Sequence, residues 1–114
     1  MTKIYHNPRC GTSRTVLQML QEHGEQPEII EYLNHPPGRA ELVALIKNAG
    51  LSVRDAMRSK EAVYQDLQLG NPALSDEQLI DAVLAHPILM NRPFVVTVKG
   101  TRLCRPADVV NDIL

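Results

Sequence analysis

The sequence predicts an α/β fold in which helices flank a mixed four-stranded sheet. Short β-like runs alternate with amphipathic stretches in the order β-α-β, a helical insert, then β-β-α. The first strand, helix and second strand fit within residues 2–33, which indicates a βαβ unit with parallel strands. A hydrophobic fraction of 44% in 114 residues is enough for one buried core. We therefore expect a single domain over residues 1–114.

The predicted βαβ unit has recognisable boundaries. Its first strand is TKIY, residues 2–5, and its second strand is EIIEYL, residues 28–33. Thr12 or Ser13 can cap the N-terminus of the helix between them, because a hydroxyl oxygen accepts a hydrogen bond from a free backbone N–H there. Gly24 fits the position just beyond the helix, since glycine readily adopts the left-handed conformation that ends many helices.

The middle of the chain predicts a helical insert. A turn at residues 34–39 precedes an amphipathic helix at 40–50, and shorter helical pieces follow over 51–69. Residues 75–78 have the pattern S-x-x-Q, a capping box that opens another helix. We expect Pro87 to end that helix, because proline has no backbone N–H to donate.

The C-terminal part predicts a β-hairpin and a last helix. The strands are FVVTV, residues 94–98, and TRLCR, residues 101–105, joined through the Lys-Gly pair at 99–100. Pro106 can start the last helix, at 107–114. This order is that of a thioredoxin-like fold, in which the loop after the first strand opens directly onto the first helix.

Charge is distributed unevenly along a nearly neutral chain. The net charge is −1, yet residues 1–21 and 82–107 contain no acid, while eleven of the 13 acids lie between Glu22 and Asp81. If the two ends of the chain meet in the fold, they form a basic pocket. Such a pocket suits a small anion better than a nucleic acid, which usually requires a broader basic surface. From charge alone, it is equally consistent that these basic residues are solvated surface charges that bind no ligand.

Composition disfavours several classes of protein. The N-terminus has no apolar segment of the kind found in signal peptides, and no apolar run approaches the about 20 residues needed to span a bilayer. Two cysteines are too few for a secreted disulfide scaffold. We expect a soluble protein of a reducing, cytoplasmic compartment, with no nucleic-acid and no membrane partner.

Cys10 lies in the segment YHNPRCGTSRT, between the first strand and the first helix. The thiolate is the reactive form of cysteine, and an ordinary pKa of about 8.5 leaves the side chain mostly protonated at neutral pH. A position just before a helix favours the anion through free N–H groups and the helix dipole. We expect the Ser13 hydroxyl to donate to the sulfur. We also expect His6, Arg9 and Arg14 to add positive charge.

The alternative for Cys10 is a buried structural cysteine, which is what we expect for Cys104. Cys104 lies in a predicted strand beside Leu103, and cysteine is among the residues most often buried. Around Cys10, by contrast, a glycine, two hydroxyls and two arginines occupy a tight loop. These neighbours favour a reactive thiolate.

Other cysteine and phosphate chemistries do not fit the spacing. The two cysteines are far apart in sequence and the four histidines show no ligand spacing, so we expect no metal site. A phosphatase-like loop would need an arginine where Val16 stands. A C-x-x-C redox pair would need a cysteine where Ser13 stands, and the G-x-x-x-x-G-K-[ST] phosphate loop is absent.

Five segments carry a specific resemblance to a known family. They are YHNPRCGTSRT, YLNHPPGRAEL, SVRDAMR, LIDAVLAHPILMNRPFVVT and GTRLCRPADVVNDIL. Together they closely resemble the glutaredoxin-coupled arsenate reductases, the ArsC-type enzymes with a thioredoxin-like fold, from about Ile4 to Leu114. The resemblance implies reduction of arsenate to arsenite, with glutathione as co-substrate, glutaredoxin as partner and no bound cofactor.

The resemblance also implies a role for each matching residue. Cys10 stands at the position of the nucleophile, with His6 and Ser13 at positions that tune the thiol. Three arginines match those that hold the oxyanion, and five residues match the supporting loop and the proline that the family holds in the cis form. The arginines are Arg58, Arg92 and Arg105, and the supporting residues are Asn7, Gly11, Thr12, Arg14 and Pro93.

Residue chemistry agrees with most of this assignment. Planar guanidinium groups bind the oxygens of a tetrahedral oxyanion in pairs, and several of them offset the repulsion between a thiolate and an anion. For Arg58 the residues alone favour a carboxylate partner, because Asp55 and Glu61 lie within helical reach. Only the resemblance makes it a ligand of the substrate.

Two rival functions remain open from the sequence. Spx-like proteins share the fold and regulate transcription as redox sensors, but they use a C-x-x-C pair that Ser13 interrupts. A thiol oxidoreductase with another substrate is the second rival. Phosphate is the natural competitor for the oxyanion site, since it nearly matches arsenate in shape and charge.

Overall fold

A computed structural model describes every residue from Met1 to Leu114. The chain divides into two units, one formed by residues 1–35 with 92–114 and the other by residues 36–91. The first unit contains the sheet, and the second is helical apart from an isolated bridge between Met57 and Met90. The expectation of one domain over the whole chain stays a prediction.

The first unit is built on a mixed four-stranded sheet, as predicted. Its strands have the order β2-β1-β3-β4. Strand β1 runs parallel to β2 and antiparallel to β3, and β3 pairs antiparallel with β4. The expected βαβ unit and C-terminal hairpin are therefore confirmed. The strands are β1 Lys3–His6, β2 Glu28–Glu31, β3 Phe94–Thr97 and β4 Gly100–Leu103.

The hairpin differs in detail from the prediction. Val98 and Lys99 form the turn, and Gly100, with a φ of 150°, begins β4. Strand β4 ends at Leu103, so Cys104 follows the strand and does not lie within it. The ladder stops there because the prolines that flank this end of the hairpin have no N–H to donate.

Helix α1, Gly11–Glu22, starts earlier than predicted. Its N-cap is Cys10, not Thr12 or Ser13, because Cys10 is extended, with a φ of −92° and a ψ of 121°. The Cys10 carbonyl oxygen already accepts the helical hydrogen bond from the Arg14 N–H at 3.0 Å. At the other end the prediction is confirmed, since Gly24 takes a φ of 90° just beyond the helix.

The core of the first unit lies between the sheet, helix α1 and a C-terminal 3₁₀ helix at Ala107–Ile113. The predicted last helix is thus present, in the tighter 3₁₀ form. Seven buried side chains from these elements form one cluster. They are Ile4, Val16, Leu20, Val95, Cys104, Val110 and Ile113.

The second unit contains the predicted helical insert. Its elements are α2 Arg39–Asn48, α3 Ala62–Asp66 and α4 Asp76–Ala85, with 3₁₀ turns at Arg54–Ala56 and Pro87–Leu89. The capping box is confirmed, because the Ser75 hydroxyl accepts the Gln78 N–H and the Gln78 side chain accepts the Ser75 N–H. Helix α4 ends shortly before Pro87, as expected. None of the helices is long and apolar enough to cross a bilayer.

Candidate active site

The loop between β1 and α1 is fixed by local hydrogen bonds. The Asn7 Oδ1 accepts the Arg9 N–H at 2.9 Å, and the Asn7 carbonyl oxygen accepts the Cys10 N–H at 3.0 Å. From the first turn of the helix, Arg14 Nη1 donates to the Pro8 carbonyl oxygen at 2.9 Å. These bonds hold Cys10 at the N-cap, where the helix presents its free N–H groups.

The Cys10 sulfur faces two guanidinium groups from the C-terminal part of the chain. The residue is 7% exposed. Arg105 Nη1 lies 3.7 Å from the sulfur, and the Arg92 guanidinium is close enough to stabilise its negative charge. The sulfur makes no side-chain capping hydrogen bond of ordinary length, but the backbone N–H of Ser13 is close enough to act on its charge.

These contacts decide the protonation of Cys10. Burial raises the pKa of the thiol, but the Ser13 N–H and the guanidinium groups of Arg92 and Arg105 more than offset it. The net effect is a pKa below the ordinary value of 9.0. The site therefore favours the thiolate, which is the nucleophilic form.

The two arginines at the sulfur are also joined to each other. Arg105 Nη1 donates to the Arg92 carbonyl oxygen at 3.2 Å. Each arginine precedes a cis peptide bond, at Arg92–Pro93 and Arg105–Pro106, so the cis form that the resemblance implied for Pro93 is present. The two acid-free regions of the sequence thus meet at Cys10, where the C-terminal one supplies two guanidinium groups to the sulfur.

Ser13 and His6 interact with each other and not with the sulfur through their side chains. The Ser13 Oγ lies 2.6 Å from His6 Nδ1 and accepts the Asn7 N–H at 3.1 Å. The expectation that this hydroxyl donates to Cys10 is therefore wrong, and it is the Ser13 backbone N–H that acts on the sulfur. The physical reason is the earlier helix start, which places Ser13 at the third helical position.

His6 does not supply the positive charge that we expected from it. Burial lowers its pKa from the ordinary value of 6.5, Glu31 opposes this effect, and Arg14 adds to it. The imidazole is consequently neutral at neutral pH. Its tuning role for the thiol stays a prediction.

The other residues of the loop do not bind the Cys10 sulfur through their side chains. Arg9 and Arg14 make no hydrogen bond to the Cys10 sulfur, and their expected charge contribution stays a prediction. Gly11 is not required by local space, since a Cβ there would meet only Arg14 Nη2 at 3.7 Å. Thr12 is half-buried and makes no side-chain hydrogen bond.

Arg58 belongs to the second unit, and its partner there is a carboxylate. Its Nη1 lies 2.8 Å from Glu61 Oε2, with both side chains about three-quarters shielded from solvent. Its backbone N–H donates to the Leu89 carbonyl oxygen at 2.8 Å. The ion pair is the alternative that the residues alone favoured, and the role of Arg58 in binding an oxyanion stays a prediction.

Cys104 is a core residue, as predicted. It is fully buried in the apolar cluster of the first unit, and its sulfur lies 3.8 Å from the Arg102 carbonyl oxygen. Burial raises its pKa from 9.0 to about 12, while Arg102 opposes this effect and Asp112 adds to it. The thiol is protonated and unreactive under ordinary conditions. No cluster of three or more histidine, cysteine or acidic side chains that could hold a metal ion is present.

Comparison with known proteins identifies one family. The chain matches the model of the ArsC family over residues 5–113. It is similar to an arsenate reductase of Rhizobium meliloti strain 1021, with 60% identity over 97% of this chain and 79% of the relative. An arsenate reductase of Escherichia coli is 56% identical over the same shares. Among solved structures, an arsenate reductase from Vibrio cholerae has a TM-score of 0.95 and 43% identity, covering 99% of this chain and 97% of that chain.

Proposed function

The chain belongs to the ArsC family, and from that premise we propose that it reduces arsenate to arsenite through the thiolate of Cys10. The observation that carries the proposal is the environment of the sulfur. A cysteine that is nearly buried has a lowered pKa because a helix N–H and two guanidinium groups surround it. The similar proteins from Rhizobium meliloti and Escherichia coli are both named arsenate reductases.

The same groups suit the substrate. Arsenate is a tetrahedral oxyanion, and a thiolate that approaches it meets like-charge repulsion. Arg92 and Arg105 can bind its oxygens while they stay close to the sulfur, which offsets that repulsion and stabilises the charge of the transition state. The hydrogen bond from Arg105 Nη1 to the Arg92 carbonyl oxygen, at 3.2 Å, holds the two residues together before the substrate arrives.

The proposed reaction balances without any other redox group. The Cys10 sulfur bonds to arsenic(V), and one arsenic oxygen leaves as water. Glutathione then bonds to the same arsenic with loss of a second water, and the two sulfurs join as a Cys10–glutathione disulfide while arsenic takes up two electrons and one water. The net change is arsenate plus two thiols giving arsenite, one disulfide and one water. Both electrons come from thiols, so a resident metal or cofactor has no role.

We propose that glutaredoxin completes the cycle. Its thiolate attacks the glutathione sulfur of the mixed disulfide, releases the Cys10 thiol and carries the glutathione away as its own disulfide. Cys104 is an unsuitable internal partner, since it is buried and its pKa is raised to about 12. An external thiol donor also places the reaction in a reducing compartment, the cytoplasm, where glutathione is kept reduced.

The decisive experiment is a coupled assay. Arsenate-dependent oxidation of NADPH is measured with glutathione, glutaredoxin and glutathione reductase present. We expect turnover by the wild-type protein and a loss of about 10³-fold or more in Cys10→Ser, because the nucleophile is removed. Cys104→Ser serves as the matched cysteine control and should keep activity once it is folded. No arsenate-dependent rate in the wild-type protein would reject the proposal.

The same assay tests the remaining arginine and the rival substrates. If Arg58 also binds the oxyanion, Arg58→Gln raises the KM for arsenate while that for glutathione stays constant. Phosphate should inhibit competitively against arsenate without supporting NADPH oxidation. A regulator of the Spx type would instead show no turnover and would bind RNA polymerase.

A further inference from the structure

A cavity of about 310 Å³ lies where the parallel strands β1 and β2 end. Residues 6–9 line it on the β1 side, and Glu31, Leu33 and Asn34 line it on the β2 side. His6 and Glu31 are register partners at the ends of the two strands. The carboxyl ends of parallel strands are a preferred place for ligands in α/β sheets, and pockets for small ligands hold roughly 300–1,000 Å³. The size and position both fit a small-molecule site.

Three polar side chains at this cavity have no hydrogen-bond partner in the protein. Arg9, Glu31 and Asn34 are exposed, and their side chains make no hydrogen bond or ion pair with other residues. The contrast with Arg14 is informative, because that arginine is bound to the Pro8 carbonyl oxygen. Arg9 on the β1 side makes no ion pair, and the Glu31 carboxylate on the β2 side interacts only electrostatically, with His6. A cation and a carboxylate on the two sides of one cavity match a zwitterionic ligand.

The cavity and the oxyanion arginines lie on different sides of strand β1. Strand β1 has β2 on one side and β3 on the other. Arg92 and Arg105 belong to the segments that flank the β3–β4 hairpin, whereas the cavity lies on the β2 side. Arg9, which lines the cavity, directly precedes Cys10 in the chain. A second ligand can therefore approach the cysteine without displacing the oxyanion.

We propose that this cavity binds glutathione, the thiol that the proposed function requires. Glutathione carries two carboxylates and one ammonium group at neutral pH. Arg9 takes a carboxylate as a charge-assisted pair, Glu31 takes the ammonium group, and Asn34 hydrogen-bonds the peptide. An extended tripeptide spans about 10 Å, so a glutathione bound beside Arg9 can extend toward Cys10, the next residue in the chain.

The test measures the kinetic constants for each substrate separately. Arsenate and glutaredoxin are held at saturation while glutathione is varied, for the wild-type protein, Arg9→Gln and Glu31→Gln. We expect the KM for glutathione to rise about tenfold in each variant, since each loses a hydrogen bond to a charged group. The KM for arsenate and the rate at saturating glutathione should stay constant.

Matched controls separate the site from general charge effects. Glu28→Gln removes a carboxylate from the same strand β2 outside the cavity, and Lys60→Gln removes an exposed positive charge from the second unit. Both should behave like the wild type. With 2-mercaptoethanol as the reductant, which has neither carboxylate nor ammonium group, Arg9→Gln should equal the wild type as well.

Binding without turnover distinguishes this site from the proposed function. S-methylglutathione, which cannot react, should shift the backbone amide signals of Arg9, Glu31 and Asn34 in the NMR spectrum of the wild-type protein. Those shifts without arsenate turnover would support the site and reject the function. Turnover with no such shifts, or with an unchanged KM for glutathione in both variants, would overturn the site. A variant that raises the KM for glutaredoxin and leaves the KM for glutathione unchanged would also overturn it. These residues would then bind the glutaredoxin protein and not glutathione.

Discussion

Cys10 and Cys104 lie in the same unit, are both free and are both shielded from solvent, yet their thiols differ. Cys10 has a pKa below 9.0, while that of Cys104 is raised to about 12. Burial acts in the same direction on both, because it removes water from the charged form. Arg92, Arg105 and the Ser13 N–H reverse its effect at Cys10. At Cys104 the apolar cluster offers no donor of that strength.

The comparison shows that burial of a cysteine does not indicate its chemistry. What matters is whether directed N–H groups replace the lost water. At Cys10 the helix N-terminus and the guanidinium groups do so before any substrate binds. Variants that change one cysteine environment and leave the other intact test this account directly.

The largest expected effect concerns the stability that is lost at alkaline pH because Cys104 is buried. Its folded pKa is raised from 9.0 to about 12, so the unfolded chain loses the proton first and stability falls as pH rises between these values. The change approaches about 1.4 kcal/mol for each pH unit, or on the order of 4 kcal/mol in total. Cys104→Ala removes this dependence, so its deficit against the wild type should shrink above about pH 9.

Urea unfolding of both proteins across that pH range provides the measurement. Titration of tyrosines and lysines is common to the two proteins and cancels in the difference. Cys10 acts with the opposite sign: its stabilising effect is present above its unfolded pKa and is lost as pH falls through the lowered folded pKa. A deficit that stays constant as the pH rises would show that the core does not raise the pKa of Cys104 above its unfolded value.

The second effect concerns the guanidinium groups at Cys10. Arg105→Gln removes a cation 3.7 Å from the sulfur, which raises the pKa of Cys10 and weakens oxyanion binding. We expect kcat/KM for arsenate to fall about 10²-fold at neutral pH. Part of the loss should recover as pH rises, because the Cys10 thiol, whose pKa is higher in this variant, is then deprotonated by the solvent.

Arg102→Gln is the matched control for this variant. Arg102 lies beside Cys104 and bonds the Thr101 carbonyl oxygen, so its loss should leave the pKa of Cys10 and the turnover near wild-type values. Equal effects of the two substitutions would indicate a general influence of charge. A pH profile with no recovery in Arg105→Gln would limit that arginine to substrate binding.

The third effect distinguishes the hydroxyl of Ser13 from its backbone N–H as the group that lowers the pKa of Cys10. Ser13→Ala leaves the buried His6 Nδ1 and the Asn7 N–H without the Oγ that contacts them at 2.6 and 3.1 Å. We expect a loss of about 1–3 kcal/mol in unfolding free energy, with the pKa of Cys10 still below 9.0, because the backbone N–H remains. Thr12→Ala, which removes an uninvolved hydroxyl, should change neither quantity. A pKa for Cys10 at or above that of free cysteine in Ser13→Ala would assign the effect to the hydroxyl.

Much of the fold could be predicted because local signals agreed with it. The hydrophobic periodicity located the strands and helices, Gly24 marked a helix end, and the Ser75 capping box opened α4. The helix start at Cys10 could not be read in the same way, since serine and threonine are stronger N-cap residues. The Asn7 side chain and carbonyl oxygen fix that start, and an asparagine before a proline was the available signal.

The active site was harder to predict from the sequence than the fold. Arg92 and Arg105 were chosen through the resemblance, because their contact with Cys10 depends on the pairing of distant strands. The neutral state of His6 depends on burial, which one loop sequence does not reveal. The cavity at Arg9 was missed because its second wall, with Glu31, comes from a neighbouring strand.

The most direct test of the central claim is a titration of the Cys10 thiolate by its ultraviolet absorbance. The protein is Cys104→Ala, in which Cys10 is the single cysteine, with Cys10→Ser/Cys104→Ala as the blank for tyrosine. We predict a transition centred below that of free cysteine in the same buffer, and we expect it to move upward in Arg105→Gln. A transition at or above that of free cysteine would contradict the account, because the helix N–H and the arginines would then fail to overcome burial.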